Sequence, residues 1–85
     1  MDDYGERFAA AIAAELRAQK ARRRIGDEDI ADAVGVHRVS VSRYLSGARP
    51  IPMVTFAELC DYLGVSPVEV IDNAEKQARR NSEDS

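Results

Sequence analysis

The stretch "IADAVGVHRVSVSRYLSG", residues 30–47, decides the fold. Ile30, Ala33 and Val34 recur at helical spacing, and Gly35 follows at once, where a helix would stop. Val41, Tyr44 and Leu45 repeat the pattern, and Ser46-Gly47 close it. The spacing predicts two short helices joined by a turn centred on Val34-Gly35-Val36. Projection around the later helix, Arg38 to about Leu45, puts Val41, Tyr44 and Leu45 inward. Arg38, Val39, Ser42 and Arg43 then point outward, related by steps of one and four. One side of this helix belongs to a core, and the other carries two arginines that no core requires.

Working outward, the same periodicity covers the rest of the chain. Phe8, Ile12 and Leu16 stack at i, i+4 in a first helix, with Ala9 and Ala13 beside them; Asp3 is placed to cap it and Glu6 to close the box. Asp27, Glu28 and Asp29 occupy the first turn of the second helix, where its dipole favours acids. Pro52 opens a fourth helix whose Val54, Phe56, Leu59, Cys60 and Leu63 are expected in the core, and Gly64 stops it. In "SPVE", Ser66 is the cap, Pro67 the first helical residue and Glu69 the closing acid of a fifth helix that runs to about Arg79. No alternating β-branched run closed by a tight turn is present. The expectation is an all-α, compact five-helix domain over residues 1–80, followed by a disordered acidic tail, 81–85.

Composition narrows the function classes. The 85 residues are 45% hydrophobic and 32% charged, which fits one globular domain and not a disordered chain. No apolar run approaches the ~20 residues that span a bilayer, and no signal-like apolar segment follows "MDDYGER", so a cytoplasmic location is expected. The lone Cys60 forms no internal disulfide and reads as a small buried hydrophobe. Net charge is −3, but its distribution is uneven. Arg17 to Arg49 holds eight basic and four acidic residues, a surplus of +4, while the remainder holds four basic and eleven acidic residues, −7. A basic patch between acidic ends is an electrostatic footprint suited to nucleic acid.

A short helix, a turn and a second short helix ending in Ser-Gly form a helix-turn-helix pattern. The span from about Ile12 to Asp72 resembles the lambda repressor and Cro-like (XRE-type) family. The matching residues are Ile30-Ala31, Gly35-Val36, Val41, Gly47 and "LGVSPVEVI" near the end, in register without a gap. The resemblance implies a lambda-repressor-like DNA-binding domain, here with an N-terminally extended first helix. It also implies that the face carrying Arg38, Val39, Ser42 and Arg43 lies in the major groove, where arginine matches guanine and Val39 offers a surface to thymine. His37 stands where the family usually has a capping Ser or Thr that also touches phosphate. Ser40, Ser46 and Arg49 resemble backbone anchors, and Arg22, Arg23 and Arg24 near the entrance to the second helix are further phosphate candidates.

Two departures from the family pattern stand out. Asp27 replaces the phosphate-binding Gln usual at the start of the second helix. A carboxylate there repels the DNA backbone, so either the docking angle differs, with Arg22 to Arg24 compensating, or affinity is modest. Leu45 replaces a glutamate that in many members pairs with a basic residue of the first helix, which is expected to leave Lys20 free for phosphate.

The family further implies a bacterial or phage-type transcriptional regulator, most simply a repressor. It would form a homodimer through Val65, Val68, Ile71 and the fifth helix, and bind a palindromic operator of double-stranded DNA in the nucleoid. At this length no separate effector domain is expected, so no small-molecule effector and no cofactor are. The alternative is a helix-turn-helix that binds protein, antitoxin-like or directed at a host regulator, as the acidic ends suggest. No nucleophile–base pair, carboxylate dyad, phosphate-cradling loop or metal cluster is placed, so neither an enzyme nor a metal site is expected.

Overall fold

In the computed structural model, which describes residues 3–83, the chain begins with a long helix, α1 (Tyr4–Arg23). Asp3 caps it, its carboxylate accepting from the Glu6 N–H at 2.7 Å. It ends at Arg24, which is left-handed at φ 54° although it is not glycine. Two hydrogen bonds hold that turn: Arg24 N to Ala21 O at 3.2 Å and Ile25 N to Lys20 O at 3.3 Å. Ala11, Ile12, Ala13 and Leu16 are buried along α1, and Phe8 is half-buried. Ala9, expected beside them, is exposed: it lies with Ala10 on an open apolar groove that the 47–51 loop and Ile71 border but do not fill.

Two short helices follow, α2 (Asp27–Val34) and α3 (Arg38–Ser46). Glycines close both, Gly35 at φ 80° and Gly47 at φ 85°, where a side chain would be strained. Ile30, Ala31 and Val34 face the core from α2; Val41, Tyr44 and Leu45 do so from α3, as their spacing predicts. Ala33 is exposed, contrary to expectation, because it lies one turn from the exposed Asp29 on the outer face.

The fourth helix, α4 (Met53–Leu63), starts at the N-cap Pro52 and buries Phe56, Leu59, Cys60 and Leu63. Val54 does not join them and is 70% exposed. It stands one and two turns ahead of the exposed Glu58 and Asp61, on the face turned away from the apolar stripe. Burial pushes the Cys60 thiol above its ordinary range, which suits a packing residue.

The fifth helix, α5 (Pro67–Glu83), is capped by Ser66, whose hydroxyl accepts from Glu69 N at 3.4 Å. It runs past the expected end near Arg79, so residues 81–83 of the expected tail are helical; 84 and 85 lie outside the described residues. Val70, Ala74 and Ala78 form its buried stripe. The two alanines let α5 lie close along α1, and the seam is fastened at its far end. Arg79 stacks 4.9 Å from the Tyr4 ring centre, and Arg7 donates to the Ala78 carbonyl at 3.4 Å. Five helices and no strand are present among the described residues. Leu16, Ile30, Val41, Leu59, Cys60 and Leu63 sit at the centre, with Ala31 and Phe56 in the same cluster. This core fixes α2 and α3 so that the outer side of α3 faces solvent.

Candidate nucleic-acid interface

The turn between α2 and α3 is built from the backbone outward. Gly35 and Val36 both donate to the Ala31 carbonyl, at 2.8 and 3.2 Å, which folds the chain back and delivers His37 to the start of α3. His37 caps that helix: its Nδ1 accepts from the Val39 N–H at 3.1 Å. An accepting Nδ1 leaves the ring proton on Nε2, so the exposed ring offers a donor outward. Histidine thus does what the family's Ser or Thr does at this position.

Arg38, Val39, Ser42 and Arg43 are all exposed on the outer face of α3, with Val39 leaving 42% of its surface in solvent. Among the described residues no hydrogen bond or ion pair engages the Arg38 or Arg43 guanidinium, so the whole donor fork of each is available. Ser40 is half-buried at the edge of this face, and its hydroxyl accepts from Arg49 at 3.4 Å. Arg49 also stacks on Tyr44, 5.9 Å from the ring centre, which holds it beside the outer face of α3. Ser46 is engaged at the end of α3. Its hydroxyl donates to the Arg43 carbonyl at 3.1 Å and accepts from Ala48 N at 3.3 Å.

The basic residues that end α1 divide by position. Arg24 lines a notch with Arg17, Lys20, Asp27, Ser42 and Ser46, directly beside the outer face of α3. Arg23 is directed elsewhere: its Nη2 lies 3.9 Å from where a side-chain carbon on Gly64 would stand, at the end of α4. Arg22 is exposed.

Lys20 is not free. Its ammonium lies 2.9 Å from Asp27 Oδ1, both side chains about 30% exposed. That oxygen is enclosed with no hydrogen-bond donor in line, and the ammonium supplies its counter-charge. The expectation that Lys20 is left free for phosphate is therefore corrected: its ammonium pairs with Asp27. The pairing closes across the short connection from α1 to α2, so the carboxylate of one departure takes the basic residue left by the other. Sequence reading also missed Arg17, whose Nη1 donates to the Leu45 carbonyl. Ala13, Arg17 and Lys20 share one face of α1 at i, i+4 and i+7, and that spacing was the available signal.

No three His, Cys, Asp or Glu side chains converge as metal ligands among the described residues, and no described helix is long and apolar enough to cross a membrane.

Comparison with known proteins gives two findings. A family model described as a helix-turn-helix domain matches residues 11–71, well over half of the chain. The fold is similar to the crystal structure of the clp gene regulator ClgR from Corynebacterium glutamicum, with a TM-score of 0.82 and 22% sequence identity. That likeness covers 91% of this chain and 82% of that one, and at this identity it speaks for the fold. No curated protein matches the chain in sequence.

Proposed function

Since the chain belongs to the helix-turn-helix domain family, we propose that it is a sequence-specific DNA-binding transcriptional regulator of bacterial or phage type, acting as a repressor by occupying its operator. One observation carries this reading. The outer face of α3 presents two unengaged guanidinium groups, a valine and a serine on a helix capped at both ends. In such a face Arg38, Val39, Ser42 and Arg43 read base edges in the major groove. Arg24, Arg22, Arg49 and the His37 Nε2–H then hold the phosphates on either side. The binding protein is a homodimer on a palindromic site, cytoplasmic and nucleoid-associated, without an effector or cofactor. Val68 and Ile71, 74% and 41% exposed, supply an uncovered apolar surface on α5, whereas Val65 packs against its own core.

The test is selection of bound duplexes from a random pool, followed by affinity measurement across a salt series. A two-fold symmetric motif with an affinity that falls steeply with salt is expected. A pool that yields no motif and no salt dependence would transfer the face to a protein partner, antitoxin-like or a host regulator.

A further inference from the structure

The last turn of α3 ends in carbonyls that the helix itself leaves without donors. Arg43 O accepts from Ala48 N at 3.0 Å, from Arg49 N at 3.3 Å and from the Ser46 hydroxyl at 3.1 Å; Tyr44 O accepts from Gly47 N at 3.2 Å. Leu45 O differs, because its donor is the Arg17 guanidinium of another helix. The cation lies at the negative end of the α3 dipole, where a charge-assisted bond is strongest. One turn earlier on α1, the Ala13 methyl lies 3.9 Å from where a side-chain carbon on Gly47 would stand. That spacing is ordinary van der Waals contact, so the polar tie of the α3 C-terminal end to α1 is the one charged hydrogen bond from Arg17. At its N-terminal end, where Arg38 and Val39 stand, the polar ties are the short turn from α2 and the His37 cap.

We propose that Arg17 is a positioning residue for DNA reading: by gripping the Leu45 carbonyl it sets the angle at which α3 presents Arg38 to Arg43. The proposal rests on the DNA-binding reading above. Leu45 brings no carboxylate to α1, so a main-chain oxygen takes the basic partner instead. The geometry makes the grip consequential. A nine-residue helix is about 13 Å long, so a tilt of about 10° about its C-terminal end moves its N-terminal end by about 2 Å. That displacement exceeds the tolerance of a hydrogen bond to a base edge. Long side chains follow a phosphate through such a shift, so losing Arg17 removes discrimination before it removes binding.

Arg17→Ala and Arg17→Lys are to be measured on the selected duplex and on a scrambled one across a salt series. Melting and amide hydrogen exchange of the free proteins are followed alongside. Arg17→Ala is expected to shrink the ratio of the two affinities by about tenfold, comparable to one mismatched base pair. Its salt slope should stay close to the parent's, its melting temperature should fall by several degrees, the Ala48 and Arg49 amides should exchange faster, and Arg17→Lys should restore part of the ratio. Equal weakening on both duplexes, with the slope flattened by about one, makes Arg17 a phosphate contact and overturns the proposal. An unchanged ratio with unchanged exchange overturns it as well. If the parent itself shows no sequence preference, the DNA reading falls and the positioning role with it; faster exchange at Ala48 and Arg49 would then leave Arg17 as a clamp within the fold alone.

Discussion

α2 and α3 are neighbours of almost equal length, eight and nine residues, and both end at a left-handed glycine, yet their first turns are opposites. α2 opens with Asp27, Glu28 and Asp29, all complementary to the positive end of its dipole, and Lys20 balances the first of them. α3 opens with Arg38 and has no acid in its first turn; only the His37 cap supports it. One helix is charged in the way that stabilises a helix. The other carries a cation where its own dipole disfavours one, and the guanidinium groups of its arginines make no hydrogen bond or ion pair among the described residues. The difference separates a strut from a candidate surface: local charge complementarity is given up on α3, where, on the DNA-binding proposal, an external anion would repay it.

Five substitutions break or sharpen that contrast. The largest effect is expected from Ile30→Ala, which hollows the core under α2. It should destabilise the fold by about 2–5 kcal/mol in a denaturant titration and leave the preference of the folded fraction for its site unchanged. Arg43→Ala should do the reverse. Melting stays near the parent's, while binding to the selected duplex loses about 1–3 kcal/mol and preference relaxes at one base position. Equal binding of that variant to selected and scrambled duplexes, at parental affinity, would remove α3 as a reading helix. Arg24→Ala, in the notch beside Ser42, should weaken both duplexes alike and lower the salt slope by up to about one unit. Arg23→Ala, at the end of α4, should change neither; a slope that responded to Arg23 and not Arg24 would move the phosphate track to the other side of α1. Arg38→Glu separates the two properties by placing an acid where the α3 dipole prefers one. Stability should rise by up to about 1 kcal/mol while DNA binding collapses.

What sequence alone reveals follows the range of the interaction. The caps at Asp3 and Ser66, the glycine stops and the inward side of α3 depend on neighbours within one or two turns, and all stand where their spacing puts them. Val54 and Ala33 are the instructive failures. Each is apolar, but its angle around the helix outweighs its type, and only the position of the other helices reveals that angle. The Lys20–Asp27 pair and the Arg17–Leu45 bond were out of reach for a different reason. The first closes across the short connection from α1 to α2, whose left-handed Arg24 no glycine announces. The second spans the crossing of α1 with α3, whose geometry is set by the packed core, not by the local pattern. For the site itself, the exposed quartet on α3 could be read from periodicity; which of the α1 arginines faces it could not.

The alanine seam between α1 and α5 also governs the order of events as the chain folds. It joins the two ends of the sequence, with Arg7 reaching Ala78 and Tyr4 meeting Arg79, so its contacts close the longest loop in the molecule. The α2–turn–α3 unit needs only neighbouring residues and can form first. During synthesis α5 emerges after the other four helices, and until it does the side of α1 that will receive Ala74 and Ala78 stays wet. Substitutions in the seam should therefore speed unfolding and leave the folding rate nearly unchanged, whereas those beneath the α2–α3 turn should slow folding itself.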